Sequence, residues 1–262
     1  MFIDSHCHLD KIDLTPYSGQ FCDAITAAHE RQVNEMLCVS IDKEHFPAMY
    51  DLIAEQPMIH ASFGIHPCHV EKEEDVLSEA ELIKWVGDHP KVVALGESGL
   101  DYYYTKETSE LQKQSFANHL RVADHLKLPV IVHTRDARED TLALIKKHGG
   151  QSGGVLHCFT ESLEMALAAI EMNYLISFSG IVTFKNAQEL KDVVKAIPLE
   201  KILIETDSPY LAPIPYRGKK NEPKYVVEVA QCIADLKGVS IEEVAAITSA
   251  NFHRLFSRSE AS

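Results

Sequence analysis

The chain has few cysteines, and none of them stands in a CxxC or zinc-finger spacing: Cys7, Cys22, Cys38, Cys68, Cys158 and Cys232 are scattered. That excludes a disulfide framework or a cysteine-rich metal site as an organising feature, and leaves reduced core thiols. No run approaches the roughly 18 apolar residues of a membrane helix, and no basic region, apolar core and cleavage site follow one another at the N-terminus. A soluble, cytoplasmic protein with no membrane partner is expected. Positive charge is also short. Twenty-five Lys and Arg face 39 Asp and Glu, a formal charge of -14, which disfavours attraction of the whole surface to nucleic acid or anionic membrane while leaving room for a small basic site. No Pro/Gly/Ser-rich linker divides the chain, so residues 1–262 are expected to form one domain, a monomer with no obligate protein partner. The proline-punctuated "APIPYRGKKNEP" reads as a local loop within it.

What the chain does have is 45% hydrophobic residues, enough for a substantial core. They recur in β-rich runs: "MFID", "MLCVS", "IHASFGIHP", "KVVALGE", "LPVIVH", "GGVLHCF", "NYLISFSG" and "KILIETD". Helix-like segments separate them, and such alternation argues for parallel strands joined by crossovers. After "HCFT", Leu163, Ala166, Leu167 and Ile170 stand at i, i+3, i+4, i+7 behind a possible N-cap, Thr160, and predict a helix laying that stripe on the sheet. Near the C-terminus Ser240 and Glu243 have capping-box spacing, Val239 and Val244 staple spacing, and a last helix should run to about Leu255. Eight strand candidates, each followed by a helix, point to an α/β fold of the (β/α)8 TIM-barrel class, with a doubly wound sheet as the alternative. In a barrel, the strand C-termini converge on one mouth.

Those strand ends carry the chemistry. In "FIDSHCHLD", His6 and His8 on a strand face one side while Cys7 faces the other; on a helix the pair would diverge. The HxH pair alone suits either ligation or strand capping. Further along, Glu97 closes "VVALGE", His133 closes "VIVH", His157 closes "GVLH" and Asp207 closes "ILIETD". Imidazole and carboxylate donors suit Zn or Mn and tolerate other divalent ions, and six exceed the three that one catalytic zinc usually takes, so two ions are implied.

Through "DSHCHLD", "GIHP", "GESGLDYY", "VIVHTRDA", "HCFTES", "ISFSG", "IETDSPYLAP", "RGKKNEP" and "NFHRLF" the chain resembles the TatD-like metal-dependent hydrolases of the amidohydrolase superfamily over essentially its whole length. The resemblance implies a TIM barrel with a divalent metal centre at the strand C-termini and a deoxyribonuclease activity, in several members 3′ to 5′ exonucleolytic, with DNA as partner. It implies His6, His8 and Asp207 as ligands of one ion, His133 and His157 as ligands of the other, and Glu97 as the bridging carboxylate, where many amidohydrolases use a carboxylated lysine. Mg, Mn and Zn all fit such a centre. Two ions about 3.5–4 Å apart activate water and polarise a phosphodiester oxygen, and Asp207 is also placed to accept the nucleophile's proton. The same chemistry would serve a small ester, lactone, amide or phosphoester, the alternative that the acidic composition keeps open.

Around these residues, His66 is placed to touch substrate phosphate or to pack as a loop histidine. Arg135 suits a phosphate through its fork, or an ion pair with Asp136 or Glu205. Arg217, Lys219 and Lys220 form the one compact basic cluster, a nucleic-acid contact or a solvated loop. Tyr102, Tyr103 and Tyr104 either stack bases or pack on neighbouring helices. The other nine histidines, His29, His45, His119 and His148 among them, are expected at the surface.

Overall fold

The computed structural model describes residues 1–257; the last positions of the expected 1–262 domain lie outside them. Each apolar run becomes a strand: β1 Phe2–Cys7, β2 Val33–Cys38, β3 Ile59–Phe63, β4 Val92–Asp101, β5 Val130–Arg135, β6 Gly154–Leu156, β7 Tyr174–Phe178 and β8 Ile202–Ile204. The strands follow one another in chain order in a single sheet. A helix occupies every crossover: α1 Phe21–Glu30, α2 Phe46–Ile53, α3 Glu79–Gly87, α4 Ser109–Leu126, α5 Arg138–His148, α6 Leu163–Glu171 and α7 Gln188–Ala196, with α8 Val226–Lys237 and α9 Ile241–Leu255 after β8. This order and alternation are those of the (β/α)8 barrel class. No helix among the described residues is long and apolar enough to cross a membrane.

Packing groups the chain into two compact units. The first takes Met1–Cys38, Cys158–Ala166 and Ile176–Arg254. Its β1 pairs in parallel with β2, β7 pairs with β8, and Cys7 bridges to Ser208 beyond β8. The last helix starts as its sequence predicts: the Ser240 hydroxyl accepts from Glu243 N at 3.1 Å, and α9 ends at Leu255.

The second unit takes Val39–His157, Leu167–Leu175 and the chain from Leu255. Parallel pairing runs from β3 through β4 and β5 to β6. Between β3, α2 and α3, Phe63 stacks on Trp85 with ring centroids 5.0 Å apart, and Phe46 meets Phe63 edge-on at 4.9 Å. Ser78 caps α3 with a complete capping box.

Three expectations need correction. Neither Glu97 nor His133 closes its strand: β5 runs on to Arg135, and β4 continues to Asp101, with a register shift against β5 between Leu95 and Ser98. Glycines make this continuation possible. Gly96 (φ +118°) and Gly99 (φ +149°) lie where a Cβ would strike the carbonyl oxygens of Ile131 and His133. In α6 the Ser162 hydroxyl, not Thr160, accepts from Met165 N at 3.4 Å. The helix buries Met165, Ala166 and Ala169 while Leu167 stays exposed, so the buried face is centred one residue off the predicted stripe. Finally, His119 and His60 are buried rather than superficial. His119 accepts from Ile65 N at 3.2 Å through Nε2, and its Nδ1 donates to Ser115 O at 2.8 Å, so both ring nitrogens are satisfied inside the protein.

Candidate metal centre

In the first unit, His6 on β1 and His8 immediately after it turn their rings to one side, with centroids 5.2 Å apart. Their Nε2 atoms lie 3.7 and 3.5 Å from Asp207 Oδ1. The intervening Cys7 is turned away, its thiol donating to Leu37 O at 3.4 Å inside the core. Main-chain bonds hold this trio: Asp207 N donates to His6 O at 2.9 Å and His8 N to Ser208 O at 2.8 Å. Asp207 itself stands past β8 at φ +56°, in the left-handed region that Asp tolerates better than most residues. Beneath it, the Asp4 carboxylate accepts from Thr206 N at 2.9 Å and from the Thr206 hydroxyl at 2.5 Å. Burial, partly offset by those bonds, pushes the Asp4 carboxyl up to about 8. Asn221, from the "NEP" part of the late loop, is buried and donates to Thr206 O at 2.8 Å. That loop therefore has two halves: "NEP" supports the Asp207 segment from inside, while Arg217, Lys219 and Lys220 are exposed. Arg217 lies over the Phe184 ring at 4.3 Å.

In the second unit, three imidazoles surround one carboxylate. His157 Nε2, His133 Nδ1 and His66 Nε2 lie 2.8, 3.1 and 3.4 Å from the same Glu97 oxygen, Oε1. Although burial disfavours its charge, Glu97 is held well below the usual carboxylate range by His157, His66 and His133. The ligating atoms of His66, Glu97 and His133 lie within 4.8 Å of one another.

The hydrogen bonds distinguish the histidines. His133 sends Nε2 to Asp101 Oδ2 at 3.1 Å. A carboxylate can only accept, so Asp101 holds a proton on Nε2; Nδ1, which faces the Glu97 carboxylate, is the atom that would ligate a cation once its own proton is lost, the carboxylate–histidine arrangement of metal sites. His66 is the reverse. Its Nδ1 accepts from Cys68 N at 3.1 Å, and burial lowers its pKa to about 3, so the neutral ring carries its proton on Nε2. His66 thus presents an N–H donor among lone-pair donors, and suits an anion's oxygen better than a cation.

Sequence reasoning missed Asp101 and Glu205. The signal for Asp101 was the spacing in "GESGLD": once β4 runs on past Glu97, positions 97, 99 and 101 share a face. Buried Glu205 accepts from Cys158 N at 2.7 Å and so braces the turn after His157. Arg135 pairs with neither Asp136 nor Glu205 among the described residues; its guanidinium lies over the rings of Tyr103 and Tyr104, at 4.1 and 4.7 Å. Tyr102 is anchored through its hydroxyl, which donates to Asp140 at 2.6 Å.

Alternating parallel strands and helices, with imidazole and carboxylate donors gathered at strand ends, define the class of barrel metal-dependent hydrolases. The family model described as TatD related DNase matches residues 3–257. The chain belongs to this TatD family of metal-dependent hydrolases. It is 46% identical to the uncharacterized metal-dependent hydrolase YcfH of Escherichia coli K12, covering 97% of this chain and 95% of that one. With the uncharacterized metal-dependent hydrolase YabD of Bacillus subtilis it shares 42% identity over 98% and 99% of the two chains. The crystal structure of YJJV, a TatD homologue from Escherichia coli K12, superposes with a TM-score of 0.89 at 28% identity, covering 98% of each chain.

Proposed function

We propose that this hydrolase is a deoxyribonuclease, cleaving DNA phosphodiesters from the 3′ end with two divalent cations, Mg, Mn or Zn. His6, His8 and Asp207, His133 and His157, and Glu97 would hold these cations. The observation that carries the reading is the convergence of His133 and His157 nitrogens on Glu97 Oε1, a donor set of nitrogen and carboxylate oxygen in a chain of the TatD related DNase family. The chemistry of this set fits hard to borderline divalent ions, and the Asp101 bond leaves His133 Nδ1 aimed inward. Bound cations would supply water of lowered pKa and polarise the phosphoryl oxygen. The protein's own groups do the rest. Asp207 takes the proton of the attacking water, His66 donates its Nε2 proton in a hydrogen bond to a phosphoryl oxygen, and Arg135, Arg217 and Lys219 hold phosphates.

The formal charge of -14 favours one other reading, a small uncharged ester or lactone as substrate. Metal-stripped protein, reloaded separately with Mg, Mn or Zn, should shorten 3′-blocked and 5′-labelled DNA differently, with single-nucleotide release from a free 3′ end. Rapid lactone or ester turnover with inert DNA under every metal would overturn the nuclease reading and leave the metal-dependent hydrolase.

A further inference from the structure

Tyr103 and Tyr104 are 60% and 62% exposed, the most of any large hydrophobic side chain among the described residues, and they sit beside the second group of donors. These two are not loose. The buried Asp101 carboxylate accepts from the backbone N–H of both, Tyr103 at 3.0 Å and Tyr104 at 2.8 Å, through Oδ1. Its other oxygen, Oδ2, holds His133. One carboxylate therefore sets the position of a metal-site histidine and of the two rings together. The rings stand edge to face, centroids 4.8 Å apart and planes at 89°, and Arg135 at the end of β5 covers one face of each. The Arg135 side chain is exposed, and a guanidinium in contact with ring faces still has N–H donors for an anion. Among the described residues no carboxylate pairs with it.

We propose that Tyr103, Tyr104 and Arg135 form a subsite for single-stranded polynucleotide, one ring face stacking a base and the Arg135 edge gripping a flanking phosphate. The inference rests on the nuclease reading and deepens it by naming the strand form. Every base offers a π face, so the subsite is indifferent to sequence, but only unpaired bases can lie on it. Paired bases are stacked on each other, so duplex must fray before it engages.

The test is Tyr103→Ala/Tyr104→Ala, with Tyr103→Phe/Tyr104→Phe and Arg135→Gln beside it, in full-length metal-loaded protein. Readouts are KM and kcat on oligo(dT), on blunt duplex, and on bis(4-nitrophenyl) phosphate, which is too small to reach a second subsite. The alanine pair should raise KM for oligo(dT) about 10- to 100-fold, the range of base–aromatic stacking. The phenylalanine pair should stay within about twofold of the parent, since stacking needs the ring and not the hydroxyl. Arg135→Gln should flatten the salt dependence by roughly 0.7 in slope. Both tyrosine pairs should hydrolyse the small diester as the parent does. Unchanged KM for oligo(dT) in the alanine pair, with DNA still cleaved, overturns the subsite alone. A parent that cleaves the small diester yet neither binds nor cleaves oligo(dT) overturns the nuclease reading and the subsite with it. Equal losses on the small diester in the alanine pair would also overturn the subsite, showing that the rings merely support the donors.

Discussion

The two donor groups are built on opposite principles. In the first unit, the backbone does the positioning: His6, His8 and Asp207 are set by β1 and by main-chain bonds from Asp207 N to His6 O and from His8 N to Ser208 O. In the second, side chains position side chains, with Glu97 inside a ring of His66, His133 and His157, and Asp101 behind His133. A backbone-built group should survive loss of one side chain as a frame with a missing donor. A side-chain-built group should lose its arrangement when its hub is removed, because buried polar networks are worth more than the sum of their pairs.

Glu97→Gln against Asp207→Asn is the sharpest way to break that comparison. Both remove a charged donor from a centre whose charge stabilisation is worth several kcal/mol, so each should cost about 10³-fold or more in kcat. They should differ in what remains. Asp207→Asn should lower metal content at one site and leave thermal stability near the parent. Glu97→Gln should empty both sites and also reduce stability without metal, since Glu97 is the counter-charge of three buried or half-buried imidazoles. Metal analysis and thermal melts of both variants decide it; identical stability in the two would mean that the second group is also held by backbone.

A smaller effect is expected from Asp101→Asn. An amide can still accept from His133 Nε2 but no longer supplies the charge that raises the ligand's basicity, and such outer partners typically cost 10- to 100-fold in metal affinity or activity. Burial works against a charged His133, yet Asp101 and Glu97 together hold its pKa above the ordinary value. The matching prediction is that the metal-free variant binds protons at His133 less tightly, seen as a lowered imidazole pKa by NMR. An unmoved pKa together with parental metal affinity would remove Asp101 from the site.

The same contrast explains which parts of the molecule were legible in the sequence. Backbone-built features follow short-range periodicity, so the HxH pair on β1, the turn of Cys7 away from it and the eight strand runs could all be read from residue order. The side-chain network depends on how far β4 continues, and that hinges on Gly96 and Gly99 admitting the backbone of β5 at close range. Reading Glu97 as a strand end hid Asp101, four residues on and on the same face. His119 was misread for a related reason. Its place in α4 suggested an amphipathic surface, whereas the acceptor it provides to Ile65 N lies 54 residues away and leaves no local trace.

That buried histidine yields the prediction with the least effect on activity. His119 Nδ1 faces the Ser115 carbonyl and must carry the proton, and Nε2 must keep its lone pair for Ile65 N–H. Protonation would set one N–H against another in a buried site, and burial accordingly lowers the pKa from 6.5 to about 4. Between those values the unfolded chain takes up a proton that the folded chain refuses. Stability from this group is therefore fully present above pH 6.5 and is lost progressively as pH falls toward 4, by roughly 3 kcal/mol in total. In His119→Gln the group that titrates is gone, while Oε1 can still accept from Ile65 N. Urea unfolding of metal-free protein at pH 7, 6 and 5 should show the variant somewhat less stable at pH 7, from imperfect packing, but with a shallower decline on acidification. Parallel declines in parent and variant would mean that His119 is protonated without penalty in the folded state, and that the polar interior of the second unit is less tightly specified than its hydrogen bonds indicate.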